Sequence, residues 1–438
     1  LKTQPSTGIA PKPHLKRGDY KTLALSALGG ALELYDFIIF IFFAAVLGEL
    51  FFPPGIPEWM RQLQTFGIFA AGYLVRPLGG MVMAHFGDLL GRKRMFGLSL
   101  LLMALPTLCI GLLPTYAQIG IAAPLLLLGA RLLQGAAIGG EVPSAWVFVA
   151  EHVPAHRTGL ACGTLTAGLA GGVLLGSLGA GALNRHFSPA EIADYAWRLP
   201  FLAGGVFGLV SVYLRRWLHE TPVFAELVAM RALACETPLK LVLRDHRPGV
   251  LLSLALTWMV AGGVLVVSLM TPGLLQSSYH YTAAVALQAN SLAIVLQAAG
   301  SVVAGTLADR YGNGRVLLIG SVLLGVSAWL FYRLAGDPQL VFPLYALLGA
   351  ALGVLGVIPR IMVGVFPPEV RLSGVSFAYN LGYAVFGGLT PLLVVMLAKQ
   401  HPMGPGYYMV LLAVIGTTVG LQLSRRDHAG HPSAQSGI

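Results

Sequence analysis

The sequence predicts an all-α membrane protein, with twelve transmembrane helices arranged as two pseudo-symmetric six-helix bundles. Three observations carry that expectation. Of 438 residues, 56% are hydrophobic and 11% charged, and the mean hydropathy is +0.75, too little polar surface to cover a water-soluble globule of this length. Apolar runs of about 20 residues, enough to cross hydrocarbon as a helix, recur with short polar interruptions. A charged loop pattern then repeats half a chain later. No backbone group can go unpaired in hydrocarbon, and the runs lack the short alternation of barrel strands, so each run is a helix.

The expected spans lie near 24–48, 63–85, 95–113, 119–149, 158–183, 198–217, 250–275, 283–307, 315–334, 340–366, 372–398 and 405–423. Residues 1–21 are polar, with Lys2, Lys12, Lys16, Arg17 and Lys21, and read as a cytoplasmic tail with no cleavable signal before the first span. The first bundle is expected over 22–217. Its fifth span carries Gly168, Gly172 and Gly176 at every fourth position, a ridge without side chains that suits tight helix packing or a sliding surface. A linker over 218–248, with Arg231, Lys240, Arg244 and Arg247 among prolines and acidic residues, separates it from a second bundle over 249–424 and a tail over 425–438. Pro106, Pro143, Pro272, Pro359 and Pro391 interrupt spans, which a membrane helix tolerates where neighbours satisfy the freed carbonyls.

The repeat pairs Gly87-Asp88-Leu89-Leu90-Gly91-Arg92-Lys93-Arg94 with Ala308-Asp309-Arg310-Tyr311-Gly312-Asn313-Gly314-Arg315, the shared Asp, Gly and Arg offset by 221 positions. Each copy joins the second and third spans of its half, so the chain reads as a duplication of six helices. Charge placement orients it. Twenty of the 28 Lys and Arg fall in the tails, the linker, the even-numbered connections and the span ends that adjoin them, which puts both termini in the cytoplasm and argues against nucleic acid as the reason for the net charge of +10. Cys109, Cys162 and Cys235 show no metal-ligand spacing, and neither a phosphate-cradling loop nor a catalytic constellation is present, so neither an enzyme nor a cofactor is implied.

The loop pattern Asp88, Gly91, Arg92, Lys93, Arg94 resembles the signature of the major facilitator superfamily. Further stretches narrow the likeness: Ala31-Leu32-Glu33-Leu34-Tyr35-Asp36-Phe37, Arg76-Pro77-Leu78-Gly79-Gly80, Arg131-Leu132-Leu133-Gln134-Gly135 with Gly139-Gly140-Glu141, Trp197-Arg198-Leu199-Pro200-Phe201, and Glu220-Thr221-Pro222. Together they resemble the metabolite:proton symporter family, whose members carry citrate, 2-oxoglutarate, shikimate, or proline and betaine. The resemblance implies the major facilitator fold and a secondary transporter, acting as a monomer in the bacterial inner membrane. Gly30, Asn313-Gly314 and Arg360 depart from the family pattern. Leu63-Gln64-Thr65-Phe66-Gly67 and Phe386-Gly387-Gly388-Leu389-Thr390-Pro391 look more like the carboxylate carriers, and the coiled-coil extension of the proline/betaine members does not follow the last span.

An ionisable side chain inside a membrane needs a partner, water or a function. Glu33 and Asp36 share one face of the first helix. A buried carboxylate whose surroundings alternate can load and release a proton, so these two, tuned by Arg131, are the candidates for proton coupling; a fixed pair of Asp36 with Arg76 or Arg131 is the bland alternative. The second half has no acidic residue inside an expected span. Substrate contacts are therefore assigned to Arg360, with Arg131, Tyr35, Gln134, Gln297, Asn380 and Tyr383. Arg360 offers a planar guanidinium to a carboxylate, its charge met by substrate, water, or Glu33, Asp36 or Glu141 across the cavity. For the gate, Asp88 is expected to accept hydrogen bonds from a helix N-terminus across the bundle boundary and Arg92 to pair with Glu151, with Asp309 and Arg315 as the repeat counterparts. The leading expectation is import of a small organic anion by proton symport. A carrier of a zwitterion such as a betaine or amino acid is the alternative, then an exporter, which the absence of a Pro among the glycines of the fifth span disfavours, and last a non-transporting sensor.

Overall fold

A computed structural model describes residues 17–90, 92–215, 238–368 and 370–429, with side chains described over 19–81, 101–213, 239–368 and 370–425. The first half contributes α1 (Arg17–Phe42), α2 (Glu58–Leu90), α3 (Arg92–Leu112), α4 (Ala122–His152), α5 (Thr158–His186) and α6 (Arg198–Arg215). After a linker helix, Pro238–Asp245, the second half contributes α7 (Arg247–Tyr279), α8 (Ala283–Tyr311), α9 (Asn313–Leu334), α10 (Val341–Val365), α11 (Arg371–Gln400) and α12 (Gly404–Ala429). No strand occurs among the described residues. Nine of these helices are long and apolar enough to cross a membrane, and a tenth if the bent pair leading into α6 counts as one span. α2 and α3 include residues 82–100, whose side chains lie outside the described set. Leu74, Leu105, Leu125, Ile319, Leu323 and Met396 point outward and exposed, an apolar exterior that lipid solvates and water would not.

Several helices change pitch before a proline, whose missing N–H and ring unsettle the turn behind it. α7 is π-helical over Val264–Met270 before Pro272, α10 tightens to a 3₁₀ helix over Gly353–Val357 before Pro359, and α11 is π-helical over Tyr383–Gly387 before Pro391. The carbonyls near Pro272 find partners on neighbouring helices. Asn290 donates to Ser268 O at 3.0 Å, and the Tyr345 hydroxyl donates to Val267 O.

Small residues set the closest helix approaches. A Cβ on Gly168 or Gly172 would overlap Ala27 or Ala31 of α1, and Gly176 meets Phe42, so the ridge fastens α5 to α1 inside the first bundle. That is the tight-packing reading. The face of α5 that meets the second bundle is a different one, where Gly159 and Gly163 lie on Gly305 and Ser301 of α8. Gly79 against Ala136 and Gly135 against Gly72 bring α2 onto α4 in the same way. The Trp197-Arg198 motif is also structural. Arg198 donates to the carbonyls of Gly111 and Leu113 at 2.9 and 2.8 Å, closing the C-terminal end of α3, where a cation is favoured.

Candidate functional site

The two halves enclose a cavity of about 60 Å³, room for on the order of four waters. Its walls are mostly aliphatic. The polar lining comes from Tyr73 and Arg76 of α2, Trp146 of α4, Thr166 of α5, Gln297 of α8, and Tyr379 and Tyr383 of α11, with no carboxylate among the described lining residues. Spacing explains the convergence, since Tyr73 and Arg76 are three apart and Tyr379 and Tyr383 four apart, each pair on one helix face.

Arg76 is 2% exposed, and its guanidinium carbon lies 4.5 Å from the ring centre of Tyr383, 5.3 Å from Tyr379 and 5.4 Å from Tyr73. A cation is attracted to such ring faces. Its Nε and Nη2 have no hydrogen-bond partner. The box is braced from behind. Tyr73 packs on Phe37 and Phe69 at 5.0 and 5.1 Å between ring centres, Trp146 meets Tyr379 edge-on at 4.8 Å, and Tyr73 stacks on Tyr383 at 5.5 Å. The indole N–H of the fully buried Trp146 has no partner either. Two of the three tyrosines belong to the second half, so the box spans the bundle boundary.

A second polar cluster lies inside the first bundle, off the cavity wall. Asp36, 1% exposed, faces α6 at Gly204 and Gly208, and its Oδ1 has no hydrogen-bond partner. Glu33 faces α6 too, where Ser211 donates to it at 3.3 Å. The alternative reading, a fixed pair of Asp36 with Arg76 or Arg131, is not seen among the described contacts. Arg131, fully buried over the rings of Phe37, Phe40 and Phe69, instead donates to Phe37 O at 3.0 Å and to Gln134 at 2.7 Å, and Gln134 donates to Thr107 at 2.7 Å. Thr107 and Asp36 flank the same residue, Gly204. Tyr35 donates to Pro200 O at 2.9 Å and packs on Phe207. Arg131, Gln134 and Tyr35 therefore sit within the first bundle and are not among the residues lining the cavity, where they were expected: Tyr35 faces α6, and Arg131 and Gln134 of α4 face α1, α2 and α3. Of the expected substrate residues, Gln297 and Tyr383 do line it, and Asn380 sits beside it, donating to Gly139 O across the boundary.

Arg360 departs furthest from expectation. It lies near the end of α10, on the face where α1 starts and α12 ends, and pairs with Asp309. α8 runs on to Tyr311, past the span edge expected at 307, which brings Asp309 into its last turn and supplies the missing carboxylate. Asp309 also accepts the backbone N–H groups of Gly159 and Leu160, the exposed donors at the start of α5, at 2.8 and 2.9 Å. This is the cross-boundary contact expected of Asp88, made by its repeat counterpart; the side chains of Asp88 and Arg92 lie outside the described residues. Glu151 pairs with Arg371 of α11 at 3.1 Å, a partner the sequence reading did not assign to it, and Arg315 follows in the first turn of α9. Glu151, Arg360 and Arg371 border a recess of about 360 Å³ on this face, separate from the central cavity. On the opposite face Asn290 of α8 donates to Ser177 of α5, which also meets Ser291. The halves thus touch on both sides of the cavity.

Tyr73, Trp146 and Thr166 are polar cavity residues that sequence reasoning left out, and Arg76 was noted only as a buried charge. The available signal was the Tyr73–Arg76 spacing on the helix face opposite the outward Leu74 and Leu78.

A family model described as Major Facilitator Superfamily matches residues 38–294 and 250–437. A putative proline/betaine transporter of Staphylococcus aureus (strain COL) is 31% identical over 410 residues, covering 91% of this chain and 87% of that protein. The glycine betaine/proline/ectoine/pipecolic acid transporter OusA of Dickeya dadantii (strain 3937) is 32% identical over 420 residues, covering 92% and 82%. Among solved structures, the proton:xylose symporter XylE bound to 6-bromo-6-deoxy-D-glucose superposes with a TM-score of 0.75 at 14% identity, covering 93% of this chain and 95% of that one, a likeness of fold.

Proposed function

The chain belongs to the Major Facilitator Superfamily, and from that membership we propose that it imports a compact zwitterion of the betaine or proline kind with protons, by alternating access. The observation that supports this most is the cavity wall, where one guanidinium with unpaired donors sits among three tyrosine faces and no carboxylate is found among the described lining residues. A zwitterion offers both complements, a carboxylate for Arg76 and the Trp146 N–H, and an ammonium for the ring faces. The names of the relatives agree. The organic-anion reading loses its anchor with Arg360 held by Asp309, although Arg76 alone would still attract a carboxylate.

For the proton we propose Asp36. It is buried in the first bundle with one oxygen unpartnered, one residue from the cavity-lining Phe37 whose carbonyl Arg131 holds. A proton gained or lost there changes the packing of α1 on α6, and α1 carries part of the cavity wall. We further propose that the face where α1 starts and α12 ends is cytoplasmic, on the distribution of basic residues, and that Asp309, Arg360, Glu151 and Arg371 latch it shut. The test is an uptake screen in proteoliposomes with labelled glycine betaine, proline and citrate. Uptake of betaine or proline in preference to citrate supports the reading, and uptake of citrate alone overturns it.

A further inference from the structure

The tyrosine box is already filled by a cation of the protein's own. Arg76 lies within 5.4 Å of all three ring centres, yet its Nε and Nη2 are unpaired. The rings cannot easily give way, because Phe37, Phe69 and Trp146 brace them and Tyr73 stacks on Tyr383 across the bundle boundary. The arginine can, being long, flexible and held on this side by ring faces. A cavity of about 60 Å³ also leaves little room for any solute until a side chain moves.

We propose that Arg76 is a tethered occupant of the substrate's ammonium site, and that loading is an exchange. The ammonium of the zwitterion takes the faces of Tyr73, Tyr379 and Tyr383, and the displaced guanidinium turns to the carboxylate, where the Trp146 N–H adds a third donor. This rests on the zwitterion reading above and assigns each charge of the substrate to its own residues. The charge balance explains selectivity. A zwitterion brings one charge of each sign, so the site holds the same net charge before and after, with the guanidinium now paired. A cation without a carboxylate would put two positive charges side by side in a poorly solvated space, a large penalty. An anion without an ammonium would leave Arg76 on the rings or the rings bare.

The experiment is equilibrium binding of labelled probes to the purified full-length carrier in lipid nanodiscs. The probes are glycine betaine, choline, and the tert-butyl isostere of betaine in which carbon replaces nitrogen. Wild type should bind betaine at least about tenfold more tightly than either of the others. Arg76→Ala should weaken betaine by about tenfold and strengthen choline, so that the preference for betaine over choline collapses. Tyr383→Leu should weaken betaine while Tyr383→Phe, which keeps the ring, retains it, with thermal unfolding showing that each variant is folded. Choline binding that is unchanged or weaker in Arg76→Ala, or an isostere bound as tightly as betaine by wild type, overturns the exchange. If betaine and proline fail to bind wild type at all while citrate binds, the zwitterion reading itself is the part that fails.

Discussion

Asp309 of the second half holds the backbone N–H groups of Gly159 and Leu160 in the first, at 2.8 and 2.9 Å, while Arg360 grips the same carboxylate from the side. The carboxylate caps the positive end of α5, and the arginine holds it in place. The contact joins the two halves, so under the proposed latch it would be lost when they separate on this face.

Asp309→Asn keeps the shape and removes the charge, a loss of about 1–3 kcal/mol in the closed arrangement. Cys162 reports on it, since it is fully buried one turn from Gly159. In a Cys109→Ser, Cys235→Ser background, the Cys162 thiol should react with maleimide roughly 5- to 100-fold faster in the variant. An unchanged rate in a folded variant would remove Asp309 from the latch.

Glu151 and Arg371 form the second contact on this face, with side chains 12% and 21% exposed, so solvent weakens it to about 1 kcal/mol. Glu151→Gln should slow uptake by about two- to fivefold. Combining Glu151→Arg with Arg371→Glu should recover at least half of the loss. A swap no better than the single variant would show that the pair matters for something other than mutual attraction.

Much of this was legible from the chain, and the gaps have physical causes. Hydropathy located the twelve spans because lipid demands apolar exteriors everywhere, and the Asp88/Asp309 repeat revealed the duplication. The Asp309 partner of Arg360 was not foreseen because a helix end is set by capping and tertiary contact, which hydropathy does not see; four more residues of α8 bring that carboxylate within reach. Tyr35, Gln134 and Arg131 were drawn to the cavity because a helical face can be identified from spacing while the direction it points cannot. Asp36 faces α6 through Gly204 and Gly208, two glycines whose role appears only once α1 and α6 are seen together. The Arg76 box was hidden for a similar reason, as its tyrosines lie some 300 residues apart, on α2 and α11.

The ridge of α5 makes a stability prediction. A methyl group on Gly168 meets the backbone and Cβ of Ala27, whereas one on Gly179 meets nothing within 4 Å. Gly168→Ala should lower the apparent Tm of the purified protein by about 2–5 °C, and Gly179→Ala should leave it unchanged. Equal effects of the two would contradict the packing assigned to α5 on α1.

Asp36→Asn tests where the proton acts. The amide fills the same space between Gly204 and Gly208 but cannot cycle a proton. Substrate exchange across the membrane should continue while concentration against a gradient is lost. If Asp36→Asn still concentrates substrate to the wild-type level, Glu33, which also faces α6, becomes the candidate.

The most direct measurement is accumulation of labelled glycine betaine by proteoliposomes of the wild-type carrier under an imposed inward proton gradient. The account predicts an internal concentration above the external one, collapsing on addition of a protonophore, and competition by excess proline but not by citrate. Betaine that equilibrates without responding to the gradient, or accumulation of citrate in its place, would contradict it.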